Sequence, residues 1–248
     1  MLKNIENEWY KIYKNKKLLI LSLIVIFASL GFAAIVENIV ASDMLDTESV
    51  KQLIGWHFPL QLLSVLSDIV FPIFATLLVA TLVTDEISGG TLKLPLLCGQ
   101  KRRDVILAKI VVVSIALLAL MLLTFASSVL IAVLLWESQD VIMHLGVITI
   151  VYLSTYLSYI GWVVFSSLLA LFIKSSGTLV GISTVLLVIS SLVNGIFPKA
   201  ARFQITYYFK AFSSGEAYDP LSFIICVITI VLFAAAAVLR FSRLQINK

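Results

Sequence analysis

Charge is what this sequence has least of. Asp, Glu, Lys and Arg make up 13% of its 248 residues, against 60% apolar, where a soluble domain carries about 25% and about 45–50%. No division into core and surface hides that much apolar side chain from water, so a soluble fold is excluded. Cysteine is nearly absent as well. Cys98 falls in a loop and Cys226 inside an apolar run, which leaves no reasonable intramolecular disulfide and no metal spacing. His57 and His144 fall in different loops and are expected to be isolated, not metal ligands.

Catalytic signatures are missing too. There is no G-x-x-x-x-G-K-[ST], so the chain does not hydrolyse ATP by the P-loop route. No His-Glu-x-x-His occurs, and no Ser has a His–acid pair on the same side of a membrane. Asp85-Glu86 is an acidic pair, but neither histidine lies at a matching depth. The chain is therefore expected not to be an enzyme, and no cofactor or metal is expected on it. Neither a solenoid-period repeat nor a low-complexity tract is visible, so residues 1–248 are expected to form a single transmembrane domain.

What is present is apolar sequence in lengths that suit a bilayer. Runs at about 18–36, 62–83, 105–136, 146–173, 178–197 and 221–241 each approach or exceed the ~20 helical residues that cross the hydrocarbon. They predict an all-α membrane protein of six spans. The third is longer than needed and is expected to tilt or to project from the membrane. The polar leader, residues 1–17, precedes an apolar run too long for a cleavable signal and reads as part of a signal anchor. Within it Leu2, Ile5, Trp9, Ile12 and Tyr13 recur at helical spacing with lysines between them, which predicts an amphipathic interfacial helix.

The basic residues give the orientation. With both termini inside, Lys3, Lys11, Lys14, Lys16, Lys17, Lys93, Lys101, Arg102, Arg103, Lys109, Lys174, Arg240, Arg243 and Lys248 share one side. Lys51, Lys199, Arg202 and Lys210 lie opposite, a split of 14 against 4 of the 18. That asymmetry explains the net charge of +4 and predicts cytoplasmic termini. The last external loop, 198–220, is too aromatic for a plain connector. It reads either as a re-entrant element or as an interfacial aromatic belt.

Few polar groups lie within the spans. Asp68 is the one ionisable residue well inside a run; with Gln61 and Ser64 it is expected on one helix face, as a gating or cation site or a structural hydrogen-bonding group. Tyr152, Tyr156 and Tyr159 fall at i, i+4 and i+7 beside several hydroxyls. They are expected to face a cavity or another helix rather than lipid. Gly177, Gly181 and Thr184 form a small-residue strip suited to a subunit interface.

Between the second and third runs lies the most elaborated polar stretch, 84–104, jointed by Gly89, Gly90, Pro95 and Gly99 and ending in Lys101-Arg102-Arg103. The run from Asp85-Glu86 through Gly90-Thr91-Leu92-Lys93, and on to Leu107-Ala108-Lys109, resembles the E-x-x-x-G-T-L-K…R…L-x-K pattern of ABC-2-type exporter permeases. Glu8-Trp9-Tyr10-Lys11 and the closing Arg240-Phe241-x-Arg243 resemble the termini of that family. Pro95 and the heavy basic cluster depart from it.

The resemblance implies a six-span permease subunit working as two copies, or with a related subunit, beside two cytosolic ATPase chains that bind ATP and Mg. It implies that Asp85, Glu86, Gly89, Gly90, Thr91, Leu92, Lys93, Arg102 and Arg103, with the leader helix, form the ATPase-coupling surface, as a coupling helix between spans two and three. It also implies export of amphipathic antimicrobial or toxin peptides of the lantibiotic and bacitracin kind across a bacterial plasma membrane. The residues alone leave open a channel or secondary transporter that uses Asp68 as a proton or cation site.

Overall fold

The structure, a computed structural model, describes residues 2–42, 47–91, 99–136, 138–197, 201–215 and 218–243. No strand occurs among them. Among the described residues six helices are long and apolar enough to cross a membrane: Lys17–Ala41, Val70–Ser88, Arg102–Leu135, Leu145–Ala170, Ser176–Ile196 and Pro220–Ser242.

The leader forms α1 (Leu2–Lys14), and the chain turns at Lys16 into the first span, α2 (Lys17–Ala41). Ile12 is buried, Ile5 and Trp9 pack against the core, and Tyr13 is exposed. The apolar side of α1 thus meets protein, and α1 lies along the third span. After a short α3 (Thr47–Lys51), α4 (His57–Ser67) leads into the second span.

That approach differs from the single helix expected over 62–83. Helix α4 ends at Ser67, Ile69 leaves helical geometry at φ −130°, and α5 (Val70–Val79) restarts the chain. The cause is Pro72. It has no N–H to give the carbonyl of Asp68 four residues back, and its ring crowds that carbonyl. Asp68, still helical at φ −71° and ψ −37°, therefore stands at the C-cap of α4, in helical register with Gln61 and Ser64 and directly before the joint.

Below α5 a five-residue π turn, Ala80–Thr84, runs without a break into α6 (Asp85–Ser88). Asp85 and Glu86 therefore close the second span rather than open an independent helix, because Thr84 is itself helical at φ −69° and ψ −44°. Gly89 ends α6 and Gly90, at φ +70°, turns the chain away.

The third span, α7 (Arg102–Leu135), has 34 residues and at about 1.5 Å each is longer than the ~30 Å hydrocarbon core. Helix α8 (Ser138–Met143) follows at the far end, and α9 (Leu145–Ala170) is the fourth span. Helix α9 is the hub: α12 (Pro220–Arg243), α5, α7 and the short α11 (Tyr207–Ser213) pack on it. Its glycine has a packing reason, since a Cβ on Gly161 would meet the Cδ1 of Ile205 and lie 2.8 Å from its Cγ1. Helix α10 (Ser176–Ile196) is the fifth span. Spans α2, α10 and α12 expose most of their apolar residues, whereas the second, third and fourth spans form the buried centre.

Candidate functional site

Among the described residues the buried charges, Glu8, Glu86 and Lys109, converge at one end with the half-buried Lys11. Glu8 and Lys11 come from α1, Glu86 from α6 and Lys109 from α7. The Lys109 ammonium donates to Glu8 Oε2 at 2.9 Å and to Glu86 Oε2 at 2.7 Å. Lys11 donates to the other oxygens of the same carboxylates, Glu8 Oε1 at 2.9 Å and Glu86 Oε1 at 2.6 Å. Two cations and two anions alternate in a closed, neutral ring. The side chain of Lys109 is 1% exposed.

Such a ring is a constraint as much as a bond. Removing charges from water costs several kcal/mol per ion, and their mutual attraction offsets this only when every partner is in place. Leader, second span and third span are thus held in one arrangement. Burial by itself would lower the pKa of Lys11, but hydrogen bonds to Glu86 and Glu8 outweigh it and hold the ammonium above its usual 10.5. Beside the ring, Lys17 of α2 donates to Thr81 Oγ1 at 2.8 Å and lies 3.7 Å from Asp85 Oδ2. That ion pair is half exposed and correspondingly screened.

The π turn places Glu86. It takes up one more residue than an α-helical turn; continued as plain α-helix from α5, the same residues would aim Glu86 about 100° away. Arg102 fastens a further element, its Nη1 donating to the Ser242 carbonyl at the end of α12 at 3.1 Å. Arg103 is exposed on the same end.

The sequence pattern of the ABC-2 family transporter proteins matches residues 4–194, a stretch that contains every member of the ring. The chain belongs to the ABC-2 transporter family. Comparison with the curated proteins gives no match. As an ABC-2 chain it is a multi-pass membrane permease of an ABC exporter, and members of the family are transport subunits without an ATPase site of their own. The family implies partnership with an ABC ATPase subunit.

The expected coupling residues of this ABC-2 permease have different places. Glu86 is in the ring and Asp85 beside it; Gly89, Gly90 and Thr91 follow α6, and Leu92 and Lys93 lie outside the described residues. Glu8, Lys11 and Lys109 are the members that reading single residues for a site left out. Lys109 had a signal, a lone ammonium within an apolar run, which calls for a named partner.

At the far end Asp68 lines a cavity of about 350 Å³ with Ser191, Asn194, Thr206, Tyr207 and Lys210. Asn194 Oδ1 and Thr206 Oγ1 are buried there without a hydrogen-bond partner among the described residues. Ser64 is not in that lining; its carbonyl accepts from Ser67 Oγ at 2.9 Å.

The tyrosines of α9 work between helices. Tyr152 donates to the Pro59 carbonyl at 3.1 Å and Tyr156 to the Ser114 carbonyl at 2.9 Å. These two line a void of only about 60 Å³. Tyr159 is fully buried between Phe71 and Phe209, 5.5 and 5.1 Å between ring centroids. The neighbouring hydroxyls of Ser154, Thr155 and Ser158 bond back to their own helix. Gly177 and Gly181 are exposed on α10, with open space where a Cβ on Gly181 would stand.

The histidines are not isolated. Trp56 stacks on His144 at 4.4 Å between centroids and touches His57 at 3.8 Å, with Asp140 3.3 Å from His144 Nδ1. The apolar contact of the two loops, invisible in their spacing, brings them together. No group of three or more His, Cys, Asp or Glu suited to a metal occurs among the described residues.

Proposed function

We propose that this permease moves amphipathic peptides outward across a bacterial plasma membrane, driven by ATP and Mg bound in two separate cytosolic ATPase subunits. The end that carries α1, Gly90 and the last turn of α12 is the cytosolic one, in keeping with the 14 of 18 basic residues that the sequence assigns to that side. The observation that carries the reading is the ring of Glu8, Lys11, Glu86 and Lys109. A push on the segment after α6 reaches a rigid junction of the leader and two spans, so the leader and the spans shift together rather than bending locally. The aromatic segment around α11 serves as a re-entrant lid on the outer side, and α1 lies at the inner membrane surface.

The test separates transmission from folding. Gly90 stands at φ +70° with open space around it, so Gly90→Pro disturbs the path into 91–98 and no packing. In proteoliposomes with the ATPase partner, Gly90→Pro is expected to keep membrane insertion and ATP hydrolysis and to lose most peptide transport. Transport undiminished in that variant, or transport by the permease without any ATPase, would overturn the reading.

A second reading has its own observation, the polar cavity at Asp68 with two buried oxygens that have no partner among the described residues. A channel or secondary transporter built on it would run without ATP and stop in Asp68→Asn. The same proteoliposomes decide between the two.

A further inference from the structure

The ring occupies one lysine of α1, and Lys17 is engaged by Thr81 and Asp85. Lys14 and Lys16 remain. Among the described residues no carboxylate lies within ion-pair distance of either. The Tyr10 ring lies 5.9 Å from the Lys14 ammonium. Both lysines line one cavity of about 620 Å³ in the elbow between α1 and α2, closed on its other side by α7. That volume is within the ~300–1,000 Å³ of small-molecule sites.

The lining is divided by chemistry. Lys14, Lys16 and the Tyr10 and Tyr13 phenols come from the elbow, while α2 and α7 contribute an apolar wall that includes Leu19 and Leu123. The elbow itself is costly to make. Lys16 is the one non-glycine among the described residues at positive φ, 53°, a conformation that favours Gly or Asn. Left-handed backbone of this kind persists where the surroundings require it.

Depth supplies the third observation. About 20 helical residues cross the hydrocarbon; counted back from Trp136, the boundary falls near Ala116. Ala119 and Leu123 then stand just inside the acyl region, and the lysines of the elbow stand at headgroup level.

We propose that this elbow binds one anionic phospholipid of the adjoining leaflet, its phosphate on Lys14 and Lys16 and an acyl chain between α2 and α7. Charge selects the occupant. A zwitterionic lipid brings its own cation to the lysines, a cationic peptide is repelled by them, and free phosphate leaves the apolar wall unused. Because α1 carries both the elbow and half of the ring, the lipid also holds α1 against α7. The inference needs the membrane spans only and does not depend on the cargo or on ATP.

Native mass spectrometry of the purified permease, exchanged into vesicles of phosphatidylglycerol or phosphatidylcholine, tests it. One phosphatidylglycerol per chain is expected to survive delipidation, and phosphatidylcholine is not. Lys14→Gln with Lys16→Asn, which keeps a residue tolerant of positive φ, should weaken retention about tenfold or more. Lys101→Gln with Lys174→Gln, the same charge loss elsewhere at this end, should leave it unchanged. Ala119→Trp should evict the lipid with both lysines intact. Equal retention of the two lipids, equal loss in the two double variants, displacement by inorganic phosphate alone, or retention unaffected by Ala119→Trp would each overturn the proposal.

Discussion

Lys109 is the residue on which most depends. It is buried between Glu8 and Glu86, 101 and 23 residues away in sequence, and among the described residues those two carboxylates are the partners its ammonium has. Lys109→Met leaves two buried carboxylates sharing Lys11, which is destabilising by about 3–5 kcal/mol. Thermal unfolding of the detergent-solubilised protein should show this as a lowered transition, and Glu86→Gln should cost less in the Lys109→Met background than alone. Strictly additive losses would mean that the ring is not a unit. The sign with pH follows from Lys11. Its folded pKa is raised, so its contribution is complete below 10.5 and is lost as pH rises through the higher folded value. Each charge of the ring could be read in the sequence; the pairing could not, because it joins residues far apart in the chain and depends on where a π turn points one of them.

At the scale of elements, the apolar runs located five spans to within a few residues and misplaced the second. Run length counts side chains that tolerate lipid and is blind to a missing N–H, so the interruption at Asp68 and Ile69 was legible only through Pro72. Loops were less legible still. Residues 57 and 144 meet through the stacking of Trp56, which no periodicity encodes. That clasp of residues 56–57 against 140–144 should respond to acid. Burial lowers the pKa of His57, Asp140 opposes this, and His144 adds to it. A depressed folded pKa means that the stabilisation is present above the usual 6.5 and is lost as pH falls through the folded value. Tryptophan fluorescence and thermal stability should therefore change between about pH 7 and 5. His57→Gln should flatten that response; an unchanged profile would place the titration elsewhere.

The whole molecule buries its second, third and fourth spans and leaves α2, α10 and α12 largely apolar and open. In a bilayer that exposure carries no penalty by itself, because lipid tails are as apolar as leucine. Association there needs close backbone approach. Gly177 and Gly181 offer it on α10, with no atom near the place of a Cβ on Gly181, while α12 presents Val231 and Leu232, both more than half exposed, from its apolar side. A two-copy permease should therefore join through α10. With Cys98 and Cys226 replaced by alanine, a cysteine at Gly181 should form a disulfide-linked dimer in oxidising membranes, and one at Val231 should not. Gly181→Phe should then suppress cross-linking through a cysteine at Gly177 without lowering the thermal stability of the protomer, since Gly181 is exposed and a Cβ there meets nothing within 4 Å among the described residues. Cross-linking as ready at Val231 as at Gly181 would move the interface to α12 and leave the glycines of α10 facing lipid.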